Sequence, residues 1–138
     1  RAARRALWVI VRHAGRPGAA RETRAVAQEL TALLARHPAA VRREALWMLS
    51  EIGEDAAVAP MAALLTDPEL RPHALGALQR LPGNKVTSAL KAAFASAPEE
   101  FKFALADALR KRGEKVSGYP SQKLVPTRAT AVTQPPAG

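Results

Sequence analysis

The chain contains no cysteine, so disulfide staples, thiolate catalysis and cysteine-ligated metals are excluded together. Aromatic residues make up only 4%: two Trp, one Tyr and three Phe. With alanine abundant and β-branched residues few, a β-sandwich would have little to pack with, whereas helices can approach one another closely. No apolar run nears the roughly 18 residues needed to span a bilayer. No His-Glu dipeptide occurs, and His13, His37 and His73 stand apart from carboxylates at metal-ligand spacing. They read as surface histidines, and neither a metal nor any other cofactor is expected. A chain without cysteine works in either redox environment, so the compartment stays open, with a soluble cytoplasmic setting slightly preferred to export. The chain opens on Arg1 and not on Met, which suggests an excised or processed piece, and RAARRALWVIV is too charged for a signal peptide.

What is present is a pattern that repeats. The 138 residues suffice for one domain with a sizeable core, 48% of them being hydrophobic. In His37–Pro68, Val41, Ala45, Leu46, Met48, Leu49 and Ile52 recur at helical spacing, and Gly53 is placed to end the helix as a left-handed residue. Ala57, Met61, Leu64 and Leu65 make a second apolar stripe that closes at Asp67-Pro68. Two amphipathic helices joined by a short polar loop cannot bury both stripes alone, so such a unit must stack on copies of itself.

The copies are in the sequence. An offset of 29 carries Val41, Arg42, Ala45, Leu46, Leu49 and Ile52 onto Leu70, Arg71, Ala74, Leu75, Leu78 and Leu81. Upstream, Val26, Leu30, Leu33 and Leu34 match Ala57, Met61, Leu64 and Leu65 at an offset of 31, within a helix from about Thr23 to Arg36. A first helix over residues 1–14 should turn Ala2, Ala3, Ala6, Leu7, Ile10 and Val11 inward, and its Ala6-Leu7-Trp8 copies Ala45-Leu46-Trp47. A last helix near Pro98–Arg112 lacks a following partner. The tail that replaces that partner carries prolines at 120, 126, 135 and 136, which forbid a helix and favour extended chain. The expected fold is all-α: an α-solenoid of about three and a half hairpins over residues 1–113 (repeats about 1–36, 38–66, 68–96 and 98–113), then an extended tail over 114–138.

VRREALWMLSEIGEDAAVAPMAALL resembles the short HEAT-like repeat of the phycobilisome-lyase type, whose consensus runs roughly VRxxAAxALGxIGDxxAVPxLIxAL. Val41, Arg42, Ala45, Leu49, Ile52, Gly53, Ala57 and Val58 fit it, while Ser50 and Glu54 depart where glycine and aspartate are usual. The resemblance covers about residues 1–113 and implies a right-handed solenoid with the first helix of each pair outside. It carries fold strongly and function weakly. Iron-binding hydroxylases with similar repeats use His-Glu pairs where this chain has Arg43-Glu44 and Pro72-His73. Alkylpurine glycosylases of this build use a strongly basic, aromatic concave face, and bilin lyases act as longer, heteromeric chains.

The charge of +9 sits at the ends: residues 1–24 and 110–138 are strongly basic, while 25–109 hold eight basic against ten acidic side chains. The leading functional reading is a non-enzymatic scaffold for a protein partner. Binding of nucleic acid or an anionic surface through the basic ends ranks behind it, and a lyase-type subunit of a heteromeric enzyme third. Trp8 and Trp47 occupy one repeat position amid Arg4, Arg5 and Arg12 or Arg43, Glu44 and Glu51, which predicts an outward aromatic stripe for a partner. The competing reading folds the Trp47 ring into the gap at Gly76. Arg42, Arg71 and Lys102 share another position and should pair with Asp67, Glu69 or Glu99 across repeat boundaries. On the last helix Phe101, Leu105, Leu109 and Phe103 should be left uncovered, so Tyr119, Leu124 and Val125 are expected to strap the tail over that end.

Overall fold

The computed structural model describes residues 2–121. Leu124 and Val125, two of the expected tail-docking residues, lie outside them. Seven α-helices follow in order among the described residues: α1 Ala2–Ala14, α2 Ala20–Ala32, α3 Ala39–Ile52, α4 Asp55–Ala63, α5 Arg71–Gln79, α6 Asn84–Ser96 and α7 Glu99–Lys111.

Their boundaries follow from local chemistry. Pro38 and Pro98 sit just before α3 and α7, where the missing N–H costs nothing. The carbonyl of Pro38 accepts from the amides of Val41 and Arg42, that of Pro98 from those of Phe101 and Lys102. Asp67 Oδ1 accepts from the amides of Glu69 at 2.9 Å and Leu70 at 3.3 Å, shaping the turn into α5. Pro60 lies inside α4 and removes one of its bonds, and after nine residues the chain tightens into a 3-10 turn over Leu64–Thr66.

Two glycines separate two kinds of helix ending. Gly113 follows α7 with φ +86° and takes the left-handed conformation that only glycine adopts without strain. Gly53, expected to do the same, is extended at φ −64°, ψ 146°. Its need for glycine is spatial: a Cβ there would run into the Leu49 carbonyl oxygen.

The odd helices stack as one layer, α1 on α3, α3 on α5 and α5 on α7. The even ones form the second, α2 on α4 and α4 on α6. The layers meet where α2 packs on α3, α4 on α5 and α6 on α7. Among the described residues this is an all-helical α-solenoid. Its core runs along the seam through Leu46, Leu49, Met61, Leu78, Leu90 and Leu105, all sealed from solvent. Alanines such as Ala45, Ala74 and Ala77 bring helices close without bulky side chains.

The ends depart from the sequence reading. Of the stripe expected inward on α1, Val11 alone is buried. Ala2, Ala3, Ala6, Leu7 and Ile10 are exposed, while Trp8 and Ala14 turn towards the neighbouring helices. The pattern is repeated faithfully, but the elements that would cover it are absent on that side among the described residues. Conversely Phe101, Leu105 and Leu109 are buried, because α5 and α6 cover them from the preceding side.

Candidate partner-binding surface

The odd-helix layer carries the candidate site, and Glu44 organises its first half. α1 points Arg4 and Trp8 at α3, one turn apart on one face. Arg4 Nε donates to Glu44 Oε1 at 2.7 Å and Trp8 Nε1 donates to the same oxygen at 2.6 Å. Burial alone would raise the Glu44 carboxyl, but the Trp8 and Arg4 hydrogen bonds and the Arg4 charge outweigh it and hold the group below the usual glutamate range. Arg12 lays its guanidinium 5.8 Å from the centre of the Trp8 ring. Trp8 is therefore half-buried against the core and tied to the next helix, and it does not stand outward as the sequence pattern suggested. Arg5 remains exposed.

Trp47 is different. It is 44% exposed, and a Cβ at Gly76 would meet nothing within 4 Å, so the indole does not fill that gap. Instead it borders an open groove of about 610 Å³ with Leu7, Leu33, Val41 and Met48 for its apolar lining and Arg43, Glu44 and His73 around them. Val41 is itself 37% exposed. The groove offers apolar area with a few polar groups at its rim, the character of a peptide or protein contact.

On the even-helix side a second concavity of about 790 Å³ lies between the α2, α4 and α6 ends. Its charges are largely matched in place: Arg24 faces Glu54 at 3.7 Å and Lys85 faces Asp55 at 4.0 Å. Among the described residues no group of three or more His, Cys, Asp or Glu could hold a metal.

The basic ladder resolves unevenly. Arg71 reaches Glu100 at 3.1 Å on α7 and lies over the Phe101 ring, while Lys102 pairs with Glu99 at 3.3 Å within its own helix. Arg42 has no acid partner among the described residues and donates to the His37 carbonyl at 2.7 Å. Asp67 serves the turn into α5 instead.

At the far end the tail folds back as far as it is described. Tyr119 donates to Glu99 Oε2 at 2.6 Å, and its ring meets Phe94 and Phe103 edge to face at 5.4 and 5.1 Å. The Tyr119 hydrogen bond, with Lys102 second, draws the Glu99 carboxyl down, and the Tyr119 hydroxyl is correspondingly raised. Arg110 gathers the carbonyls of Val116, Gly118 and Tyr119. Phe103 therefore contacts the tail, whereas Phe101 does not: it is 7% exposed and lies in the α5–α7 contact.

The residue that sequence reasoning missed is Arg112. Grouped there with the basic C-terminal cluster, it instead binds Thr87 Oγ1 at 2.9 Å, the Leu81 carbonyl at 3.0 Å and the Gly83 carbonyl at 2.8 Å. It clamps the α5–α6 turn to the end of α7. Only its position beside Gly113, at a helix C-terminus, hinted that it had carbonyls to satisfy.

No helix among the described residues is long and apolar enough to cross a membrane. No curated protein and no solved structure matches the chain. A family model described as HEAT repeats matches residues 27–110, which is more than half of the chain and spans most of α2 through α7. With its paired helices stacked in two layers, this chain belongs to the HEAT-repeat family.

Proposed function

We propose that the chain is a non-enzymatic interaction module whose groove between α1, α3 and the start of α5 receives a protein partner. The observation that carries this reading is Trp47: a large ring held 44% exposed over apolar neighbours, at a repeat position where the preceding indole is tied down. HEAT repeats generally mediate protein–protein contacts, which supports the same direction. The second reading, nucleic acid at the basic ends, loses support because five of the basic residues there are engaged within the chain: Arg4, Arg16, Arg24, Arg110 and Arg112. We place the repeat domain at residues 1–113 and the tail at 114–138.

A photocrosslinking residue at Arg43, beside the groove, tests the site in the native host. It should recover one defined protein, and Trp47→Ala should reduce that recovery about tenfold while leaving the melting temperature within a few degrees of the parent. Equal recovery from a crosslinker at Ala92 on α6, or recovery of nucleic acid in a salt-sensitive manner, would sink the proposal.

A further inference from the structure

An offset of 39 carries α1 onto α3, so that Val9 and Ile10 correspond to Met48 and Leu49. The α3 residues are 1% and 0% exposed, whereas Val9 and Ile10 are 62% and 49% exposed. The residues are alike in character, so the difference lies in their neighbours. α3 has α1 stacked on that flank, while the packed partners of α1 among the described residues are α2 and α3, both on its other side. Exposure is not a general property of the ends of this stack, since the tail around Tyr119 covers part of the opposite one. An uncovered repeat flank of this kind is an association surface.

Charge decides what fits it. The same offset puts Arg5 where α3 has Glu44 and Arg12 where it has Glu51. Where α3 offers a carboxylate to the arginine of the helix above it, α1 offers arginines. Arg5 is exposed, Arg12 lies along the Trp8 ring, and among the described residues neither has a carboxylate within 4.0 Å. A second copy stacked flank to flank would set arginines against arginines. An anionic membrane supplies the charge, but the Trp8 indole N–H, the group suited to a lipid interface, is already given to Glu44.

We propose that the uncovered flank of α1 is a docking site for an acidic amphipathic helix, seated on α1 as α1 is seated on α3, with its apolar stripe over Val9 and Ile10 and its carboxylates on Arg5 and Arg12. The probe follows from the repeat: a peptide with the sequence of α1, Ala2–Ala14, carrying glutamate at the positions of Arg4, Arg5 and Arg12. Calorimetric titration of the full chain should show saturable binding of this peptide. Ile10→Asp and Arg5→Glu in the protein, both surface changes that leave the melting temperature unmoved, should each weaken it about tenfold. The unaltered basic peptide should bind the parent more weakly than the acidic one and should prefer the Arg5→Glu protein. Trp47→Ala should leave the titration unchanged, separating this flank from the groove beside Trp47. Absence of saturable binding, equal binding of both peptides, or indifference to Ile10→Asp overturns the proposal. So does self-association of the parent that Ile10→Asp abolishes, which assigns the flank to a second copy. Cosedimentation with phosphatidylserine-containing vesicles that Ile10→Asp abolishes, without peptide binding, assigns it to a membrane and overturns the proposal equally.

Discussion

Glu44 takes two donors on one oxygen, and the next repeat shows what happens without it. At an offset of 29 its place falls to His73, which presents no carboxylate to Trp47, and that indole stays exposed. One substitution between repeats thus divides two otherwise equivalent tryptophans into a structural one and a surface one. The sign of the resulting pH dependence follows from linkage. Glu44 is held below its ordinary value of 4.5, so its contribution is complete above that pH and is lost as pH falls and the unfolded state takes up protons first. Glu44→Gln should therefore lower the stability at neutral pH by about 1 kcal/mol. The gap to the parent in melting temperature should narrow on acidification from about pH 6 to about pH 3. A gap that stays constant over that range would show that the carboxylate charge contributes nothing.

At the scale of the helix, stability resides in the seam. Leu49 and Leu78 hold the same position in consecutive odd helices and are both 0% exposed, so Leu49→Ala and Leu78→Ala should each cost about 2–5 kcal/mol. Urea melts of the two variants check this, and a parental midpoint for either would contradict the register. That register was legible in the sequence because the repeat states it several times: Ala45 and Leu49, Ala74 and Leu78, Leu105 and Leu109 all fall inward. Periodicity identifies a stripe but not what covers it, which is why Leu7 and Ile10, drawn as core, lie outside, and Phe101, drawn as uncovered, lies inside. A glycine at position 53 predicts a left-handed turn, but a crowded carbonyl selects the same residue, and here the crowding is the cause. Arg112 was invisible because its bonds reach back 25 to 31 residues, beyond any local pattern. Its three neutral acceptors should make Arg112→Ala cost about 1.5–3 kcal/mol. Arg112→Lys should recover only part of that, for an ammonium cannot reproduce the planar fork. Full rescue by lysine would reduce the clamp to a point charge.

Across the whole molecule the two ends together carry the net positive charge, yet they are finished differently. At the start, arginines surround an uncovered flank; at the close, Arg110 and Arg112 are consumed by backbone carbonyls and the chain lies against its own last helices. The aromatic cluster of Phe94, Phe103 and Tyr119, with Lys102 5.6 and 6.0 Å from the first and last rings, is the seat of that closure. Val116 packs beside the core and Lys91 pairs with Glu114 at 2.8 Å, so the fold-back begins directly after α7. Removing residues 116–138 deletes Tyr119 and every carbonyl that Arg110 holds, leaving Phe94 and Phe103 without their cover and the Arg110 guanidinium with Asp107 alone, at 3.6 Å. The truncated chain should self-associate at concentrations where the parent sediments as a single smaller species, and amide exchange in α7 should quicken. Tyr119→Ala in the full-length chain should reproduce the faster exchange by itself, because it removes both the edge-to-face contacts and the bond to Glu99. A truncated chain that sediments like the parent, with α7 protected as before, would show that the last helix is held by α5 and α6 alone.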